Sequence, residues 1–86
     1  MQHEPTTVEP TSAPTTRDIR LDLISMNEWR VCDRRYPERD SRCVLGFIER
    51  HDFRYEVTSI RPTATTATFG SLASATASFS EASFSD

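Results

Sequence analysis

The chain has 86 residues, a formal net charge of −3 and a hydrophobic fraction of 36%, which limits it to one small domain with a modest core. Its large apolar side chains are enough for a single sheet covered on one side, but too few for the walls of a deep substrate cavity. All ten basic residues are arginine, and the negative total argues weakly against a dedicated nucleic-acid binder.

Residues 1–16 are expected to be a disordered leader. They hold three prolines, five threonines and a single large aliphatic residue, Val8, so they cannot bury enough surface to offset the entropy of ordering. The first ten residues lack the basic and apolar regions of a signal peptide. No stretch of the chain approaches the roughly 18 apolar residues of a membrane span. We therefore expect a cytoplasmic protein without membrane contact.

Residues 17–61 are predicted to form the core of an antiparallel β-sheet. In the segment 18–24, three aliphatic side chains alternate with charged ones, which is the pattern of a half-buried strand. Trp29 begins another alternating run and is predicted to anchor the core. Three further strands are predicted at residues 28–34, 43–50 and 53–60.

The last two of these strands are predicted to form a hairpin. A two-residue loop at 51–52 would place Ile48 opposite Tyr55 on the core side of the sheet. A glycine inside a strand weakens the strand, and usually marks a bulge or another part of the chain packing closely over it. Gly46 is therefore expected to lie at a bulge or under a helix.

The segment 62–86 is rich in alanine, serine and threonine. A short strand is predicted at 66–69 and a helix at about 71–79, because Ser71 is a good N-cap and apolar residues follow it at helical spacing. The end of the segment is expected to fray. The predicted fold is α+β but mostly β: an antiparallel meander of three to five strands, with one short C-terminal helix packed on one face.

Four stretches carry a resemblance to other sequences: WRVCDRRYPERD at 29–40, LGFIE at 45–49, YEV at 55–57 and FGSL at 69–72. Together they resemble a pattern shared by a group of small, uncharacterised actinobacterial proteins. That pattern reads W-R-V-x-D-x-R-x-P-E-x-D, then L-G-F-I-E, an aromatic-E-V strand and F-x-S-L. The resemblance implies an ordered central block and implies no activity, cofactor or catalytic residue.

Cys32 and Cys43 are the first candidates for chemistry. Ten residues separate them, so they form neither a zinc knuckle nor a thioredoxin-like pair. Only His3, His51 and carboxylates could complete a metal site, and we predict neither a metal nor a cofactor. A disulfide across the intervening loop is geometrically possible, but a reducing cytoplasm favours two free, partly buried thiols.

Catalysis is not expected from this sequence. The closest arrangement to a catalytic pair is His51-Asp52, and adjacent residues in a turn normally point away from each other. The chain has only two glycines, so it lacks a glycine-rich loop for phosphate. We predict no enzyme, no catalytic residues and no small-molecule substrate.

The arginine-rich segment 30–42 is the one place where an electrostatic function is predicted. Its arginines are interleaved with acids, which is typical of a solvated, salt-bridged surface. A modest excess of positive charge, with a tyrosine that could stack on a base, leaves contact with nucleic acid or a protein partner open. The candidate contact residues are Arg34, Arg35, Tyr36, Arg39 and Arg42.

A sheet covered by one thin helix would leave its other face open. We predict that Leu45, Phe47 and Ile60 line this open face as a partner or dimer interface. The edge strand at 18–24 offers a second route, by pairing with another chain. The sequence therefore predicts a small non-catalytic domain for protein interaction or self-association as a homodimer, with a nucleic-acid-binding accessory protein as the alternative.

Overall fold

The computed structural model describes residues 12–61 and 64–80. Five strands form one antiparallel sheet in which each strand lies beside its neighbour in sequence. The elements are β1 (Ile19–Ser25), β2 (Glu28–Asp33), β3 (Val44–His51), β4 (Arg54–Ser59), β5 (Thr65–Phe69) and the helix α1 (Leu72–Ala77). One-turn 3-10 helices precede β1 (Thr16–Asp18) and β3 (Ser41–Cys43). The predicted α+β meander with one C-terminal helix is confirmed. The predicted leader up to residue 11 and the predicted frayed end at 81–86 lie outside the described residues.

The core lies on one face of the sheet, under α1. Alternation along the strands puts Trp29, Ile48 and Val57 in one row across β2, β3 and β4, and Ile48 is fully buried. The helix begins as predicted, because the Ser71 hydroxyl accepts a hydrogen bond from the N–H of Ser74 at 3.0 Å. The buried cluster consists of Ile19, Val31, Leu45, Ile48, Val57, Ala75 and Phe79.

Gly46 is the point where the end of the chain meets the sheet. A Cβ atom here would lie 2.8 Å from Cε1 of Phe79 and would collide with the carbonyl oxygen of Thr58. Gly46 also adjoins a β-bulge, because Val31 pairs with Gly46 while the next residue of β2 pairs with Val44. Both expectations for Gly46, the bulge and the close packing, are confirmed.

The bulge changes the place of Leu45. Leu45 is the extra residue of β3, so it leaves the strict alternation that a sequence pattern assumes. Its side chain is only 9% exposed and belongs to the core. The prediction that Leu45 lines the open face is therefore wrong, whereas Phe47, two residues later, is exposed.

The predicted register of the β3–β4 hairpin is also wrong. The loop spans 52–53, one residue later than expected, and Ile48 pairs with Val57 rather than with Tyr55. Asp52 has a φ of 52°, the left-handed region that aspartate enters more readily than most residues with a side chain. Since the pairing moves by two residues, the paired side chains of β4 keep their predicted faces. Phe53, the first residue of the strand predicted at 53–60, instead falls in the loop and is 89% exposed.

Candidate functional site

The arginine-rich loop joins β2 to β3 at one end of the sheet. Arg35 makes a bidentate contact with Asp33, with Nε to Oδ1 at 3.0 Å and Nη2 to Oδ2 at 2.8 Å. Arg42 binds Asp40 in the same way, at 3.0 and 2.6 Å. Its hydrogen bonds hold the pKa of Asp40 down at about 2. Each guanidinium therefore has its charge offset by the aspartate two residues before it.

The other predicted contact residues differ in their surroundings. The ring of Tyr36 lies 5.1 Å from the guanidinium carbon of Arg42, so one face of the ring is occupied by a cation–π contact. Arg34 and Arg39 are exposed, and Nε of Arg34 donates to the carbonyl of Ile19 at 3.3 Å. The structure thus brings Arg35, Tyr36 and Arg42 together, but it does not gather all five candidates into one site.

A cavity of about 450 Å³ lies beside this loop. Pro14, Leu45 and Phe79 contribute apolar wall, and Arg35, Arg42 and Arg61 contribute guanidinium groups to the lining. Asp33 also lines the cavity and binds Arg35. Arg42 is bound to Asp40, so two of the three arginines already have a carboxylate partner.

Arg61 is a lining residue that the sequence pattern did not single out. Its Nε donates to the carbonyl of Val44 at 2.9 Å and its Nη2 donates to that of Ser41 at 3.3 Å. The meander brings the end of β4 back beside the start of β3. Because Arg61 is far from Ser41 and Val44 along the chain, a local sequence pattern does not predict this contact.

The two thiols are buried and free. Burial, together with the interaction with the neighbouring Cys43 thiol, raises the pKa of Cys32 to about 11. A thiol with this pKa is protonated at neutral pH and is a poor nucleophile. The arrangement favours a structural role for Cys32.

One group in the part of the chain that the structure describes has metal-ligand spacing. The ligand atoms of Glu49, His51 and Glu56 lie within 4.8 Å of one another, with Nε2 of His51 at 3.3 and 3.4 Å from the carboxylates. All three side chains are about half exposed, at 46–49%. One nitrogen and two carboxylate ligands are one short of a closed tetrahedral zinc site.

The face of the sheet opposite α1 is mixed in character. Phe47 is 37% exposed and Ile60 is 42% exposed. The cross-strand neighbours of Phe47 are Arg30 and Thr58, so charged and polar side chains flank it. With Leu45 buried, the three predicted interface residues do not form an apolar strip.

A more apolar surface lies on the same face as α1, at the β1 edge. The six-residue helix is about 9 Å long, whereas five strands span about 19 Å, and α1 contacts β4 and β5. Among the described residues, α1 leaves the β1 side open: Leu23 is 66% exposed, and Leu21 and Trp29 are half-buried. Ile24, which lies at the irregularity between Leu23 and Ser25 in the β1–β2 ladder, is 52% exposed. We call these four side chains, together with the outer edge of β1, the β1 surface.

The sequence pattern identified β1 as an edge strand, which the strand order confirms. It did not identify the exposure of the aliphatic side chains of β1. The predicted length of the helix could have indicated this exposure, because a helix over 71–79 is too short to reach across five strands.

Within the described residues, no helix is long and apolar enough to cross a membrane. Comparisons with protein-family models, with curated proteins and with solved structures give no match for this chain. The β1 surface and the arginine-lined cavity are therefore interpreted from their own chemistry.

Proposed function

We propose that this chain is a small, non-catalytic protein-interaction module that binds its partner through the β1 surface. The observation that carries the proposal is the exposure of Leu23 and Ile24 beside an open strand edge. Fully burying an exposed leucine or isoleucine contributes about 1.5–3 kcal/mol, and an unpaired edge supplies backbone hydrogen bonds to an added strand. The two contributions lie side by side on one strand.

The opposite edge of the sheet is a poorer candidate. The strand β5 (Thr65–Phe69) contains three threonines, one alanine and one half-buried phenylalanine. A strand added there would gain backbone hydrogen bonds but would bury little large apolar surface. The difference between the two edges favours β1.

Nucleic-acid binding by the arginine-rich segment has less support. Arg35 and Arg42 are bound to aspartates, and phosphate affinity depends on cations that are available to replace counterions. The arginine that contacts the Tyr36 ring also limits base stacking on that face. A fluorescein-labelled single-stranded oligonucleotide at about 50 mM salt is therefore expected not to bind. Binding that weakens steeply with salt would favour the nucleic-acid alternative.

A strand-addition experiment tests the proposed function. A synthetic peptide with the sequence of residues 18–25 is titrated into the ¹⁵N-labelled chain and followed by amide chemical shifts. We expect shifts along β1, none along β5, and no response to a peptide of the same composition in scrambled order. Equal responses to both peptides, or shifts confined to β5, would contradict binding at the β1 surface.

A further inference from the structure

We propose that the partner at the β1 surface is a second copy of this chain, paired antiparallel through β1 with Leu21 at the two-fold axis. The inference rests on the proposed function and names the partner. It follows from three properties of β1: the direction of its free backbone groups, its charge pattern and the exposure of its aliphatic side chains.

The backbone groups of β1 that point out of the sheet belong to its odd-numbered residues. The N–H of Arg34 donates to the carbonyl of Asp18 at 2.7 Å, which makes these two residues a hydrogen-bonded pair in register with the β1–β2 ladder. Because such pairs alternate along an antiparallel ladder, Arg20 and Asp22 also direct their backbone groups at β2. The N–H and C=O groups of Leu21, and of the residues two before and two after it, then face outward.

An independent hydrogen bond gives the same alternation. The N–H of Arg50 donates to the carbonyl of Asn27 at 2.7 Å, so the odd-numbered residues of β2 direct their backbone groups at β3. This leaves the even-numbered residues of β2, Arg30 and Cys32, to bond with β1. Their partners in the register are Asp22 and Arg20, as the first hydrogen bond requires.

Only some strand registers both pair the outward-facing backbone groups with each other and place opposite charges across from each other. A two-fold axis at Leu21 pairs the outward-facing residues with each other: Leu21 with Leu21 of the partner subunit, and Ile19 with Leu23 of the partner subunit. The same axis places Arg20 opposite Asp22 of the partner subunit. An axis at Arg20 or at Asp22 also pairs outward-facing residues, but it sets two like charges directly opposite each other, which is unfavourable.

The side chains on both faces are compatible with the Leu21 register. On one face, Arg20 already binds Asp22 of its own strand, with Nε to Oδ1 at 2.9 Å. Asp22 also accepts a hydrogen bond from Nη2 of Arg30 at 3.3 Å, so the partner's carboxylate would join a cluster that already holds two arginines. On the other face, Leu21 would meet its counterpart and the 66%-exposed Leu23 would lie opposite Ile19 of the partner subunit. These contacts would continue the apolar side of a ten-stranded sheet.

Two described contacts lie on the outward side of β1, both at Ile19. Its N–H already donates to the carbonyl of Thr16, so the pairing with a second copy relies on the backbone groups of Leu21 and Leu23 and on the carbonyl of Ile19. Nε of Arg34 donates to the carbonyl of Ile19 at 3.3 Å. A carbonyl oxygen has two lone pairs, so this contact leaves room for the N–H of Leu23 of the partner subunit. The strand has neither a lysine nor a proline, the residues that commonly protect an edge from such pairing.

A charge-exchange experiment tests the register on the full chain. Sedimentation equilibrium or light scattering is expected to show a dimer for the wild type. The single variants Arg20→Asp and Asp22→Arg each place like charges opposite each other twice, and each is expected to weaken dimerisation about tenfold or more. An equimolar mixture of the two variants restores opposite charges at both positions, so the mixture is expected to form a heterodimer.

The controls separate this interface from loss of the fold. Arg54→Asp, a charge reversal on the exposed start of β4, is expected to leave the dimer unchanged, and circular dichroism checks that every variant is folded. Amide exchange at Leu21 and Leu23 is expected to slow as the wild-type concentration rises, since their N–H groups become paired in the dimer.

The outcomes distinguish the two proposals. A wild-type chain that is monomeric at about 1 mM, yet still binds the peptide of residues 18–25, would overturn the homodimer and leave the proposed function standing. A monomer that ignores the peptide would overturn both. A dimer whose affinity is unaffected by the two charge variants, alone or mixed, would place the interface elsewhere and overturn the register.

Discussion

Replacing Gly46 with alanine is expected to destabilise the fold strongly, because a methyl group at this position has no space. Its carbon would lie 2.8 Å from Cε1 of Phe79 and 3.0 Å from the Cα of Ser59, and closer still to the carbonyl oxygen of Thr58. The Phe79 ring is 4% exposed and has little room to retreat. The other two atoms belong to the backbone of β4, which moves only if the β3–β4 ladder moves.

The magnitude follows from these contacts. Overpacking a well-packed core costs about 1–3 kcal/mol, and we expect a value near 3 kcal/mol because two of the three obstructing atoms are backbone. A domain of this size has about 3–10 kcal/mol of stability in total. With a urea m value of about 1–1.5 kcal/mol/M, the midpoint of unfolding is expected to fall by about 2 M or more.

The measurement is urea unfolding followed by Trp29 fluorescence and far-ultraviolet circular dichroism. Gly70→Ala is the matched control, because no atom lies within 4 Å of a Cβ at Gly70 and its φ is not positive. We expect the control to change stability by less than about 0.5 kcal/mol. If Gly46→Ala behaved like the control, the close packing of Phe79 against β3 would be refuted.

Two further predictions concern ionisation. The hydrogen bonds from Arg42 lower the pKa of Asp40 from 3.8 to about 2, so the stability that this pair contributes is present above about pH 4 and is lost as the pH falls towards 2. The urea midpoint of the Asp40→Asn variant is expected to depend less on pH over this range. An unchanged pH dependence would contradict the role of the pair. The pKa of Cys32 is raised to about 11, so the native chain at pH 8 is expected to react with a disulfide reagent at least about tenfold more slowly than the chain unfolded in urea. Equally fast labelling of the native chain would argue against a buried, protonated thiol.

Period-two alternation was enough to predict the sheet. The aliphatic residues of β1 and the row that contains Ile48 lie on the faces that the pattern assigned to them. Ser71 also caps α1 as its residue type indicates. The strand faces and the helix cap depend on residues that are close together in the sequence, so a local pattern is enough to predict them.

The errors have a common physical origin in single-residue departures from regular structure. A bulge at Leu45 reverses one side chain without any signal in composition, and the left-handed Asp52 moves the hairpin loop by one residue. The cavity depends on Arg61 returning beside the start of β3. Such an approach is a property of the folded chain rather than of any local pattern.

The strand order has a consequence for how the chain folds. Every pair of neighbouring strands is joined by a hairpin connection, and no strand crosses over another, so the contact order of the sheet is low. The β1–β2 and β3–β4 ladders close over two-residue loops, which makes the entropy lost before the first stabilising contacts small. The contact of Phe79 with Gly46 joins distant parts of the chain, and it forms only after β3, β4 and β5 are aligned. Docking of the chain end over Gly46 is therefore expected as a late step that locks a sheet already assembled from local hairpins.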